Sequence, residues 1–213
     1  MPRLTEDDPR YLDHVRRCSR RFAAEAVNSQ LLPTTRVLER WHGEATRPVL
    51  EDPRWAGHIR QINSRLPFMK KEVGIGRHLG APAIAVPQKM HVYDSRLTER
   101  VARLDAEFAA LPDDEKLLRI TELVAWTHGE IVRIHPFVNG NGRLARFASN
   151  CLLTRYGIEY EIPIKPRPGG DYAFAAETSM SNLDLTMQIY LADEIVKFED
   201  ERAHRLSNTP NNP

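Results

Sequence analysis

The chain has 213 residues, 41% hydrophobic and 28% charged, the balance of a globular domain with enough apolar material for a sizeable core. Its formal net charge of +1 offers no electrostatic case for nucleic acid or a membrane surface as partner, and no stretch approaches the ~18 consecutive apolar residues of a membrane span. Two cysteines, Cys18 and Cys151, are too few for a disulfide framework or a zinc site, and the N-terminus lacks the apolar core of a signal peptide, so cytoplasmic residence is expected.

Taken in chain order, Tyr11 to Ser29 predicts a helix, with Val15, Phe22, Ala23 and Val27 apolar and arginines opposite. Pro33-Thr34-Thr35 supplies a break and an N-cap before a helix from about Arg36 to Ala45. Pro53 starts a short helix running through Trp55 to Ile62. Pro67 to Tyr93 holds Gly74, Gly76, Gly80, Pro82 and Pro87 among short β-prone runs such as Ala83-Ile84-Ala85-Val86, which predicts a hairpin or irregular flap. Two long helices follow, Ser95 to Leu111 and, after Pro112-Asp113-Asp114, a second ending near Ile134. Pro136 donates no N–H and biases His135 away from helical geometry, which puts His135 at a helix exit. A further helix spans about Asn141 to Tyr156 and stops at Gly157. Helices resume near Asp171 and over Leu183 to Leu206, and residues 207–213 are expected to form a disordered tail. The expected fold is all-α, a helical bundle with one small β element. Trp41, Trp55 and Trp126 are expected in its core, as is Cys151, which lies on the apolar stripe of the Asn141 helix.

The stretch His-Pro-Phe-Val-Asn-Gly-Asn-Gly-Arg-Leu-Ala-Arg, from His135 to Arg146, carries the chemistry. Glycines let backbone N–H groups converge on an anion, and the helix that follows favours phosphate at its N-terminus through unpaired N–H groups and its dipole. Arg143 and Arg146 stand three apart on the first turns, placed to reach one anion. His135, with an ordinary pKa near ~6.5, is the group best placed to take a proton near neutral pH. These features describe a polyphosphate cradle with a base beside it.

At these residues the chain resembles the Fic (filamentation induced by cAMP) domain family, whose signature reads His-x-Phe-x-Asp/Glu-Gly-Asn-Gly-Arg-x-x-Arg. His135, Phe137, Gly140, Asn141, Gly142, Arg143 and Arg146 match it. The resemblance implies a Fic-like helical bundle over residues 34–206 with a β-hairpin flap, preceded by an N-terminal helical segment over residues 1–33. It implies a protein adenylyltransferase, in which His135 deprotonates a Ser, Thr or Tyr hydroxyl of a target protein that attacks the α-phosphate of ATP. Gly140, Asn141 and Gly142 are then the anion nest, acting through backbone N–H groups and the Asn141 amide. Arg143 supports the phosphates, Arg146 holds the terminal phosphate, and Phe137 anchors the loop in the core. The segment Lys70 to Met90 corresponds to the flap that clamps the target by edge pairing.

One position departs from the pattern. Asn139 stands where the family carries an acid that binds Mg²⁺, and an amide oxygen brings no negative charge to a hard cation. The implied cofactor is therefore a weakly held Mg²⁺, with Asn139 as its metal position. Transfer from another nucleotide donor and a Fic-fold pseudoenzyme stay open as alternatives. His128, two turns before His135, is read either as a core histidine or as a residue that orients the loop. The family's inhibitory Ser/Thr-x-x-x-Glu-Gly/Asn element has no complete match, and Glu25 is a degenerate candidate for its glutamate. Members without the element are commonly toxins held by a small separate antitoxin, which makes such a partner one expectation from the resemblance.

Overall fold

Asp8 and Pro9 open the first helix, the Asp8 carboxylate accepting from the Arg10 N–H and Pro9 occupying a first-turn position where no N–H is needed. The computed structural model describes residues 3–207 and builds on this start an all-α architecture of seven α-helices with one two-stranded hairpin. The helices are α1 Pro9–Ser29, α2 Thr35–Thr46, α3 Val86–Glu107, α4 Asp113–Ile134, α5 Asn141–Arg155, α6 Gly170–Ser179 and α7 Asp184–Ser207. The hairpin pairs β1 Gly74–Ile75 with β2 His78–Leu79, antiparallel, with Gly74 opposite Leu79 and Ile75 opposite His78.

The centre of the bundle is α4 against α5. Buried residues cover nearly every face of α4 between Ile120 and Ile134 because α3, α5, α6 and α7 all pack on it. Its first turn carries Asp113, Asp114 and Glu115, which suit the positive end of the helix dipole. Across α5 lies α1, whose Phe22 stacks on Trp41 of α2 at 4.9 Å between centroids and meets Phe147 of α5 edge-on at 5.3 Å. The N-terminal helix therefore shares the main core. On the other side, Tyr93 of α3 stacks on Trp126 of α4 and donates its hydroxyl to the Pro33 carbonyl at 2.9 Å.

Three expectations change. The run Ala83 to Val86 is not a strand: α3 begins at Val86, nine residues before the predicted start, because Pro87 sits in its first turn and Met90, Tyr93 and Leu97 continue one buried stripe. The hairpin is thus confined to Gly74–Leu79 within the expected Lys70 to Met90 flap. The helix at Pro53 is a single 3₁₀ turn, Pro53–Trp55, and Ile62 is exposed. Trp55 is only partly buried and stacks on Phe68 at 4.5 Å, outside the main cluster that holds Trp41 and Trp126. Ser207 closes α7, and the rest of the expected tail lies outside the described residues.

Candidate functional site

Helix α4 ends at His135, whose backbone turns left-handed, with φ 52° and ψ 58°, while its N–H still donates to the Ile131 carbonyl at 3.0 Å. A histidine before proline rarely adopts this conformation, and such backbone costs about 1–3 kcal/mol, so its surroundings must hold it there. The ring Nδ1–H faces the Val132 carbonyl at 3.4 Å, which leaves the Nε2 lone pair as the basic site. Burial pushes the imidazole pKa down to about 4, and the nearby Arg60 guanidinium adds to the fall. His135 is therefore neutral near pH 7, the form a general base requires.

The loop from Pro136 to Gly140 is braced from within. Asn141 accepts the Phe137 N–H at 2.8 Å and donates its amide to the Phe137 carbonyl at 2.8 Å. Its side-chain oxygen and one amide N–H thus close the turn, which leaves the second amide hydrogen and the backbone N–H as the donors Asn141 can offer an anion. Phe137 is fully buried and stacks at 4.0 Å on His42 of α2, as an anchor should. His42 Nδ1 accepts from the Gly57 N–H at 2.9 Å, so its Nε2–H donates to the Asn139 carbonyl at 2.8 Å. Burial holds the His42 pKa down at about 4. The ring thus fixes Asn139 from a helix nearly a hundred residues away.

Gly140 has φ +86°, and a Cβ there would lie 2.9 Å from Thr46, so both conformation and space require glycine. No side chain caps α5. The N–H groups of its first turn, Asn141 to Arg143, have no partner within the helix, and those three residues line a cleft of about 500 Å³. His135, Asn139, Gly140, Asn141, Gly142, Arg143 and Arg146 all line that cleft, so the structure brings every expected site residue together.

The two arginines take different surroundings. Arg143 Nη1 pairs with Glu6 at 2.8 Å, and Lys165 Nζ reaches the same carboxylate oxygen at 3.0 Å. Burial would raise the Glu6 pKa, but Arg143 and Lys165 outweigh it and hold the carboxyl below its ordinary value. A carboxylate is thus seated between two cations beside the open end of α5. Arg146 donates to the Tyr172 hydroxyl and to the Ile164 carbonyl, each at 3.0 Å. Tyr172 passes its own proton toward His128 Nε2, 2.9 Å away. Burial, with Arg146 adding, pushes the pKa of His128 down to about 3. His128 is a buried histidine at the wall of the cleft, and it bonds to Tyr172 rather than to the His135 loop. Glu25 pairs with Arg40 at 2.8 Å and accepts from the Trp41 indole, so it does not face Arg146.

The turn of the hairpin, Ile75 to His78, forms one lip of the cleft and α6 the other, with Arg77 bridging to Glu177 at 2.8 Å. Asn139 is exposed, and its side-chain oxygen accepts the Gly140 N–H at 2.5 Å. Among the described residues no group of three or more His, Cys, Asp or Glu is arranged to hold a metal ion. Asn139 thus offers a hard cation one neutral amide oxygen, which already accepts from Gly140. Five residues at or behind the site escape sequence reasoning: Glu6, His42, Arg60, Lys165 and Tyr172. Each lies outside the motif, and none stands in a pattern that marks it.

Among the described residues no helix is long and apolar enough to cross a membrane. Comparison with known proteins agrees with the geometry. The model of the Fic/DOC family matches residues 33–153. A Fido domain-containing protein of Dictyostelium discoideum is 43% identical over 42 residues, 20% of this chain and 29% of that protein. The protein adenylyltransferase Fic of Nematostella vectensis is 45% identical over 48 residues, 22% of this chain and 11% of that protein. The matched segments thus span less than a third of either relative. Among solved structures, a Fic domain-containing signaling protein from Bacteroides thetaiotaomicron superposes with a TM-score of 0.63 and 20% identity, covering 92% of this chain and 72% of that one. BepC, a VirB-translocated effector of Bartonella tribocorum with AMPPNP bound, gives 0.52 and 18%, covering 88% and 87%. The helical fold is shared with both, and with residues 33–153 matching its family model the chain belongs to the Fic/DOC family.

Proposed function

We propose that this protein transfers AMP from ATP to a Ser, Thr or Tyr hydroxyl of a target protein. The observation that carries the reading is the meeting, in one cleft, of a neutral histidine with a free Nε2 and an uncapped helix N-terminus flanked by two arginines. His135 Nε2 takes the hydroxyl proton as the oxygen forms its bond to the α-phosphorus. The bond from that phosphorus to the bridging oxygen breaks, and pyrophosphate leaves. The N–H groups of Asn141, Gly142 and Arg143 meet the charge that develops on the phosphoryl oxygens, where preorganised donors act without reorganisation. Arg146 and Lys165 hold the outer phosphates, and Glu6 gives way to them. Support comes also from the Nematostella relative, named a protein adenylyltransferase, and from the AMPPNP in the Bartonella neighbour.

Mg²⁺ enters this reading with the nucleotide, because Asn139 offers one neutral oxygen that already faces Gly140. The same amide favours a second reading, in which nucleotide binds without turnover. Incubating the protein with ATP and with each other nucleoside triphosphate, followed by mass spectrometry of the proteins present, separates the two. One AMP added per modified hydroxyl, with ATP the best donor, is expected; nucleotide binding with no adduct from any donor would establish the second.

A further inference from the structure

Arg60 has no ordinary reason to be where it is. It lies in the loop between the Pro53 turn and the hairpin, its side chain is fully buried, and burial lowers its pKa. No carboxylate pairs with it among the ion pairs of the described residues. A buried cation without an ion-pair partner is costly unless every donor is placed, and here its donors go to backbone carbonyls. Nε donates to His135 at 2.9 Å, Nη1 to Lys71 at 3.0 Å, and Nη2 to Ala81 at 2.8 Å and Ile134 at 3.3 Å. Its own backbone N–H donates to the Pro136 carbonyl at 2.6 Å.

The identity of those acceptors makes the pattern informative. Lys71 and Ala81 are the two shoulders of the hairpin, while Ile134, His135 and Pro136 are the exit of α4. One planar guanidinium therefore clips both ends of the hairpin to the backbone that carries the ring of His135. A second bond, from the Ala81 N–H to the Ile134 carbonyl at 3.2 Å, runs alongside. Gly80 completes the seam, since a Cβ there would lie 2.7 Å from the His135 Cβ and 3.3 Å from Arg60 Nη2. Lysine, a compact point charge on a flexible stem, cannot reproduce a fork that meets four acceptors at fixed angles.

We infer that Arg60 is a positioning residue for His135: it holds the catalytic imidazole in its left-handed backbone conformation and locks the hairpin to it, so that target clamping and base alignment are set by one side chain. The inference rests on the role of His135 in the proposed function. Arg60 itself touches neither donor nor target. Its loss displaces the base and leaves the phosphate cradle on α5 in place.

The test compares Arg60→Met and Arg60→Lys with the wild type and with Val101→Ala, a core truncation in α3 that serves as a control for destabilisation. Transfer is measured against ATP concentration well below each variant's melting temperature. Both Arg60 variants are expected to lose about 100-fold in kcat, the scale of a catalytic group misplaced by about 1 Å, while KM for ATP stays within about twofold. In amide exchange followed by NMR, the Ala81 N–H is expected to exchange about tenfold faster, the fold-change for loss of one charge-assisted contact, and the His135 ring signal to shift. Val101→Ala should move none of these. Wild-type kcat in both folded Arg60 variants, or an equal loss of kcat in Val101→Ala, would overturn the inference. Should Arg60→Met not fold, Arg60→Lys decides. Should the wild type show no transfer at all, the proposed function has failed, and the Ala81 exchange and His135 ring signals still decide whether Arg60 fixes this loop.

Discussion

Replacing His42 with glutamine is expected to make folding less sensitive to acid, by an amount that follows from the site. In the folded protein burial holds the His42 pKa at about 4, whereas in the unfolded chain it lies near ~6.5. A histidine with a depressed folded pKa leaves stability unaffected above its unfolded pKa. Stability is then lost as pH falls from about 6.5 toward 4, because the unfolded chain takes up the proton first. At pH 5 this amounts to about 2 kcal/mol for His42, against nothing at pH 7. His128, with its pKa pushed down to about 3, and His135, at about 4, contribute a similar ~2 kcal/mol each, and the three together consume a substantial part of a typical domain's stability. Urea unfolding at pH 7 and pH 5 measures the sum. His42→Gln lowers absolute stability, since the Gly57 N–H and the Asn139 carbonyl lose the ring that joins them. Its drop in stability between the two pH values should nevertheless be about 2 kcal/mol smaller than that of the wild type. Carboxylates, His128 and His135 are common to both proteins and cancel in this difference. An identical drop in the two proteins would show that His42 is not held neutral by the fold.

Three further expectations concern the cradle. Arg146→Glu should weaken ATP binding at least tenfold more than AMP binding in calorimetry, since a charge-assisted contact is worth roughly 1.5–3 kcal/mol and reversal adds repulsion; equal losses would remove the terminal phosphate from its role. Glu6→Gln should tighten ATP binding about three- to tenfold by freeing Arg143 and Lys165 from their carboxylate, and unchanged or weaker binding would mean that Glu6 does not compete with phosphate. Asn139→Asp should raise apparent Mg²⁺ affinity in a transfer titration and weaken ATP binding in chelator, because a charged oxygen gains more from a hard cation than an amide does; superimposable Mg²⁺ curves would take position 139 away from the metal.

What could be read in the sequence was local. The start of α5 at Asn141 and the exit of α4 at His135 follow from glycine and proline acting on their own neighbours, and the structure places both where those residues require. The start of α3 was obscured because Pro82, Pro87 and a β-branched run imitate a strand and its breaks, while Pro87 in fact serves as a first-turn residue. Arg60, His42 and Glu6 were illegible for another reason. Their partners lie 75, 97 and more than a hundred residues away, and a single buried polar residue in a loop or on a helix leaves no periodic trace. Asn141 is a local case: its type fits an anion nest, and its bonds to Phe137, four residues earlier, brace the same turn.

In the proposed function the α-phosphoryl group, with its nucleoside, passes to a protein hydroxyl under the action of His135. Parallel incubations of wild type and His135→Ala with candidate target proteins and ATP labelled either on the α- or on the γ-phosphorus test it most directly. Protein-bound label is expected from α-labelled ATP only, lost in His135→Ala while that variant still binds ATP. Protein labelled from the γ-phosphorus, or α-label undiminished by the substitution, would contradict it.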